Sequence, residues 1–232
     1  GNGLLFNPMD LFNPFSPTEI HREYKTGDDM ATLQMPMGDA GELQMLHVPR
    51  RNPETHRVRG DQSSTAGKFH FVMGSTELDL LAARHYNDHV AGLGGTGVIF
   101  EAAWRMDAIY TFPDSQKSRD DFAALVANID YSWIWWGKNM YGFVEYYYNG
   151  LGKTRYSEAM ADSEIVTRLA RGELFTIGRS YLAGQMQLEM HPLINFYITM
   201  INNLKDPSGI VQPKILWDVT HNSQISLGGM FY

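Results

Sequence analysis

Residues 100–110 read Phe100-Glu101-Ala102-Ala103-Trp104-Arg105-Met106-Asp107-Ala108-Ile109-Tyr110. Every second residue from Phe100 to Tyr110 (Phe100, Ala102, Trp104, Met106, Ala108, Tyr110) is apolar or aromatic, and the residues between them include Glu101, Arg105 and Asp107. A β-strand turns successive side chains to opposite faces, so the stretch predicts one face of large apolar groups and one charged face. Any half-buried strand has such an alternation. Its recurrence along most of the chain, with bulky aromatics on the apolar side, predicts lipid outside and water inside. The expected fold is therefore all-β, an antiparallel up-and-down transmembrane β-barrel.

Composition agrees with that expectation. The chain has 232 residues, enough for one large β unit, and its mean hydropathy is −0.30. Its longest run without Asp, Glu, Lys or Arg, Met190 to Leu204, contains His191, Pro192 and three asparagines. That is not a spanning helix, which needs about 18 or more mostly apolar residues. A barrel passes unnoticed by hydropathy because every second residue faces water. A net charge of −7 without a basic run argues against nucleic acid as a partner. The absence of cysteine excludes thiol catalysis, disulfides and Cys-based zinc sites.

Residues 1–28 do not alternate. Leu5-Phe6-Asn7-Pro8 and Leu11-Phe12-Asn13-Pro14 form a near-repeat, followed by Pro17. Proline lacks a ladder donor and restricts its predecessor, so this NP-rich segment is expected to be irregular. It is either a long surface loop or, because Phe6, Leu11, Phe12 and Phe15 are too apolar for free solvent, a constriction folded into the lumen. Residues 29–232 are expected to form the wall.

In that wall, Leu33, Met35 and Met37 oppose Thr32 and Gln34, and Leu43 and Met45 oppose Glu42 and Gln44. Residues 49–66 read as a charged loop. Phe69, Phe71 and Met73 then oppose Lys68 and His70. Thr76–Asn87 predicts a strand with a bulge near Arg84, and Gly92, Gly94, Gly95 and Gly97 a flexible strand or turn. A strand running through Glu101 is followed by a polar loop from Pro113 to Asp120. Leu125 to Trp135 and Met140 to Tyr148 predict two arms joined by a tight turn at Trp136-Gly137-Lys138-Asn139, with Glu145 on one face and Val144, Tyr146 and Tyr148 on the other. The longest break, 149–173, holds a short helix at Ser163–Arg171. One strand is expected over Leu174–Met190, with turns at His191-Pro192 and Asn203–Gly209 setting off the last strands. The sum is ten to twelve strands joined as consecutive hairpins. Several run about ten residues, long enough to cross a bilayer and longer than the five or six usual in a sandwich.

Three stretches have a familiar look: GNGLLFNPMDLFNPFSPTEIHREYKTGDD (Gly1–Asp29), DYSWIWWGKNMYGFVEYYYNGLG (Asp130–Gly152) and NLKDPSGIVQPKILWDVTHNSQISLGG (Asn203–Gly229). Together they resemble uncharacterised porin-like outer-membrane proteins of Gram-negative bacteria. The resemblance covers most of the chain, is specific for architecture and says little of function. It implies a bacterial outer-membrane location and further strands ahead of the NP-rich segment, so that this chain would be part of a larger barrel. The closing Phe231-Tyr232 fits the aromatic end common in such barrels.

Chemistry is sparse. HYNDH, with His85, Asp88 and His89, has metal-like spacing only on a helix; on a strand and turn it reads as a polar turn. There is no Gly-x-Ser-x-Gly elbow, no P-loop and no HExxH, so no catalytic residue, metal or cofactor is expected. Glu101, Arg105, Asp107, Asp130, Glu145, Arg179, Gln185, Gln187, Glu189, Lys214 and Asp218 read as lumen-lining groups. Arg105 and Arg179 are the expected partners of the carboxylates, since unrelieved like charges on adjacent strands are costly. The expected function is a porin-like channel for passive diffusion of small polar solutes, with weak cation preference. The alternatives are a barrel with a structural or partner-binding role, and a soluble β-sheet binding protein. Partners would be membrane lipid, small polar solutes, and a second copy or a partner protein. Gly150–Gly172 is expected outside the cell, and Trp136–Asn139 and His191-Pro192 on the periplasmic side.

Overall fold

The structure is a computed structural model and describes residues 1–12, 16–18, 29–51, 55, 57–114 and 120–232. Twelve strands form one antiparallel sheet in strict sequence order. They are β1 (Ala31–Pro36), β2 (Glu42–Val48), β3 (Ser64–Met73), β4 (Thr76–His85), β5 (Asp88–Ile99), β6 (Ala102–Phe112), β7 (Phe122–Trp135), β8 (Lys138–Asn149), β9 (Ser180–His191), β10 (Ile194–Asn203), β11 (Gly209–Thr220) and β12 (Ser223–Gly228). Two short helices, α1 (Tyr156–Ala161) and α2 (Ser163–Ala170), lie between β8 and β9. The up-and-down meander is the expected one. β1 and β12 stand at opposite edges and do not pair with each other. Among the described residues no helix is long and apolar enough to cross a membrane.

The faces sort as the alternation requires, with the usual soluble pattern reversed. Met106, Tyr110, Ile129, Tyr131, Val144, Leu182, Met186, Met200 and Trp217 are exposed. Asp79, Asp107, Thr111, Asn128, Glu145, Thr199 and Gln212, at the opposite parity, are buried. The buried face is covered by residues 1–12. Leu5, Phe6 and Met9 pack with Ala66, Ala83, Val90, Ile109, Ala124, Val126, Phe143, Tyr147 and Ala183 in the main core. A cavity of about 90 Å³ beside Phe6 is lined by residues of every strand from β4 to β8. In a flat sheet these strands would spread over about 19 Å, so the sheet curls around the segment.

Connections differ sharply between the two ends. Consecutive hairpins place alternate connections at alternate ends. One end carries residues 37–41 and five two-residue turns: Gly74-Ser75, Phe100-Glu101, Trp136-Gly137, Pro192-Leu193 and His221-Asn222. The other carries 49–63, 86–87, 113–121, 150–179 and 204–208.

Several local expectations are corrected. Phe100 and Glu101 are not strand residues but the turn between β5 and β6, with φ of 47° and 67°. Two positive φ values are what a right-twisted two-residue hairpin demands, and neither residue is a habitual turn former. The sequence alternation therefore ran through the turn unseen. No bulge occurs at Arg84: pairing of β4 with β3 and β5 runs through it unbroken, as Thr65↔Arg84 and Arg84↔His89. The glycine-rich stretch lies within strand β5. β3 begins at Ser64, earlier than the loop reading allowed, and β9 begins at Ser180, leaving 174–179 outside the sheet. The tight turn at 136 uses two residues, with Lys138 and Asn139 already paired to Trp135 and Ile134. Helix α1 was not foreseen, whereas α2 was. Asp162 caps α2 by accepting from the N–H groups of Glu164 and Ile165, an ordinary N-cap.

The 150–179 connection is tied to the wall where Gly152 meets the residues before β9. A Cβ on Gly152 would stand 2.2 Å from the carbonyl oxygen of Gly178, and Lys153 N–H donates to Ile177 O at 3.0 Å. Gly152→Ala should therefore destabilise the fold by about 1–3 kcal/mol, the usual range for forced overpacking. Denaturant unfolding checks it; an unchanged midpoint would show that the connection is not seated here.

Candidate functional site

The candidate site is the polar inner face of β5–β11 with the segment lying on it. Its centre is Glu145, whose inward position follows from the alternation of β8. Its carboxylate is fully buried. It accepts from the backbone N–H groups of Leu4 (2.6 Å), Leu5 (2.9 Å) and Phe6 (2.8 Å), and from Asn128 Nδ2 (3.0 Å). Three successive N–H groups aimed at one carboxylate form an anion-holding concavity. Asp107, also fully buried, accepts from Asn2 N at 2.5 Å and Asn2 Nδ2 at 2.8 Å. Register explains the convergence: Asn128 faces Glu145 across β7 and β8, and Asp107 faces Val126 across β6 and β7. Among the described residues neither carboxylate makes an ion pair.

Aromatic contacts fix the segment further. Phe6 stacks on Tyr147 with ring centroids 4.5 Å apart and planes within 4°, and its ring lies 5.6 Å from that of Tyr181. Phe12 meets His85 edge-on at 5.6 Å, and Leu11 packs against the same core. Of the constriction candidates, Phe6, Leu11 and Phe12 thus lie on the inner face, and Phe15 falls outside the described residues.

The remaining lumen candidates are distributed as follows. Arg105 forms an ion pair with Asp130 on the neighbouring strand. Gln185 donates to Thr199 Oγ1 at 2.8 Å and Gln187 to Asn195 Oδ1 at 3.0 Å. Glu189 accepts from Asn139 at 2.8 Å, and Asp218 from Gln224 at 2.8 Å. The Lys214 ammonium sits 5.1 Å from the centroid of the Tyr197 ring, a cation–π distance. Glu101 is in the exposed β5–β6 turn and so on neither face. Arg179 precedes β9 and donates to the backbone carbonyl of Gly152 at 3.0 Å rather than to a carboxylate. A second cavity of about 420 Å³, lined by Leu4, Leu5, Tyr141, Gln185, Tyr197 and Lys214 among others, lies on the β8–β12 side of the segment.

A further cluster was invisible in the sequence. Arg168 of α2 is buried and ion-paired with Asp88 at the start of β5, with Glu164 at 2.8 Å and with Glu173 at 3.1 Å. Asp88 also accepts from Asp114 N at 2.9 Å. His85 Nδ1 lies 2.8 Å from Ser64 Oγ, and its Nε2 is 3.7 Å from Glu173 Oε1, too long for a hydrogen bond. Ser64 is fully buried beside His85. The cluster fastens the long connection over the end of the interior. HYNDH is a hairpin: Tyr86 and Asn87 form the turn, with φ of 47° and 69°, and His85 pairs with Asp88.

Comparison of the chain with protein-family models, curated proteins and solved structures gave no match.

Two outcomes are expected of this cluster. Removing the central cation leaves three carboxylates without it, so Arg168→Met should cost about 3–5 kcal/mol, the usual penalty for breaking a buried ion pair from one side. A loss under 1 kcal/mol in denaturant unfolding would mean the cluster is solvated. Burial acts to raise the Glu173 carboxyl, but His85, Arg168 and Arg171 outweigh it and hold the group below the ordinary glutamate value. A carboxyl depressed in the folded state adds stability that is present above its unfolded value and is lost as pH falls through its folded value. Acid titration of wild type should show that loss below the ordinary glutamate range, and Glu173→Gln should flatten it; identical acid limbs would contradict this.

Proposed function

We propose that the chain forms a porin-like β-barrel of the bacterial outer membrane, a channel for passive diffusion of small polar solutes. The observation that carries this reading is the reversal of faces: apolar side chains outward on strand after strand, carboxylates and amides buried within. An exposed apolar surface spanning β6 to β11 exceeds what soluble monomers ordinarily tolerate, and it is the favoured face against hydrocarbon.

Aromatic placement supports the same reading. Trp104, Trp133, Trp135, Trp136 and Trp217, all the tryptophans of the chain, lie at or beside the end with the short turns. On β6, Trp104 near that end and Tyr110 and Phe112 near the other bracket Met106 and Ala108. An aliphatic band between aromatic girdles is the pattern of a barrel in a bilayer. Short turns at one end and long connections at the other also match outer-membrane barrels, with the 150–179 connection then on the outer side. Within hydrocarbon the free ladder edges of β1 and β12 require partners, supplied by each other or by further strands. The segment covering the inner face favours one competing reading, a barrel with a structural or partner-binding role.

Reconstitution into planar bilayers decides between them: the channel reading expects stepwise ionic conductance, and silence of the inserted protein favours the structural role. A protein soluble and monodisperse without detergent would overturn both. Met106→Arg places a charge on the outer face and should impair insertion by about 2–4 kcal/mol near the midplane. Folding yield into vesicles measures this, and wild-type assembly of the variant would refute the outward-to-lipid assignment.

A further inference from the structure

We infer that residues 1–12 are a displaceable plug latched by Asp107 and Glu145, and that these two carboxylates line the conduit and favour cations once the plug leaves. The inference rests on the channel reading above.

The latch differs from other inward carboxylates of low exposure, Asp130 and Asp79. Asp130 is paired with Arg105, and Asp79 lies 3.4 Å from Lys68, so those charges are balanced within the sheet. Asp107 and Glu145 are balanced by nothing in the sheet. Asn128 contributes one neutral donor, and every other donor comes from Asn2, Leu4, Leu5 and Phe6. A carboxylate only accepts, and backbone N–H groups satisfy it without cancelling its charge. These partners belong to a segment that is not a strand of the sheet, and Asn128 Nδ2 donates back to the Asn2 carbonyl oxygen at 3.3 Å.

The wall beneath the segment is shaped for an insert. A Cβ at Gly94 would stand 2.6 Å from Asp107 Oδ1, 2.9 Å from Asn2 Nδ2 and 3.2 Å from Met9 Sδ, so glycine there makes room for the latch carboxylate and for the plug that it holds. Ala66, Ala83, Ala124 and Ala183 are the small inner residues around Leu5, Phe6 and Met9. With the plug withdrawn they leave a smooth, widened passage. The 420 Å³ cavity on the β8–β12 side shows that the interior is not filled even with the plug seated. Two uncompensated carboxylates in a narrow passage with low-dielectric walls concentrate cations.

The test uses the full chain in planar bilayers under a KCl gradient. Wild type should open rarely and prefer K⁺ over Cl⁻. Glu145→Gln should raise open probability by about tenfold or more, the weight of a charge-assisted hydrogen bond. Asp107→Asn combined with Glu145→Gln should open as often and lose most of the K⁺ preference. A second route leaves the latch intact. The chain has no cysteine, so Leu5→Cys gives a single thiol at a position only 8% exposed. A charged, water-soluble thiol reagent applied during recording should react only when the plug is out and hold it there, giving a lasting rise in current. Unchanged open probability in Glu145→Gln, unchanged selectivity in the double variant, or complete thiol labelling without a rise in current would each overturn the plug and leave the channel standing. Absence of conductance from every inserted variant would overturn the channel reading and the plug with it.

Discussion

A sheet that turns its apolar side outward must satisfy its polar side from within, and Glu145 shows how strictly this holds. Water is excluded from its carboxylate, and the sheet offers it only Asn128. The remaining donors come from a turn of backbone 139–141 residues away in sequence. A buried carboxylate lacking such donors is strongly destabilising, so segment and wall depend on each other. The small inner residues and Gly94 follow from the same demand, because the segment must approach the strands closely enough to deliver its N–H groups.

The long connection answers the demand at the open end in another way. There the interior groups are charged on both sides, and Arg168 gathers Asp88, Glu164 and Glu173 into one buried network. The inner face is thus finished by neutral donors at its middle and by a cation at its end. That difference matters physically. Breaking the end network strands charges against each other, whereas releasing the middle hands two free charges to whatever water enters.

The wall was legible in the sequence because its signal is local. Trp104, Met106 and Tyr110 against Arg105, Asp107 and Ile109 state their faces within a few residues, and the Trp136-Gly137 turn carries a glycine where positive φ is needed. The turn at Phe100-Glu101 carries no such mark, since both residues continue the alternation while the backbone reverses. Nor did Tyr156–Ala161 announce itself as a helix, being six residues long without a capping side chain. The site was legible only in half. The inward position of Glu145 and Asp107 follows from parity, but their partners Asn2 and Leu4–Phe6 act through backbone groups, which no residue type advertises. The pairing of Asp88 with Arg168 joins positions 80 apart, and nothing local ties one to the other.

The meander has a consequence for the order in which the molecule assembles. Each strand pairs with the one before it, so the wall grows by hairpins whose loop-closure costs are small. The chain's first residues are the exception. The donors of Asn2 meet Asp107 only once β6 is in place, and those of Leu4, Leu5 and Phe6 meet Glu145 only once β8 is. This segment is therefore seated late, onto a wall already largely built, and the apolar groups of Leu5, Phe6 and Met9 remain uncovered until then. A segment that precedes the wall in sequence thus waits for the wall to fold.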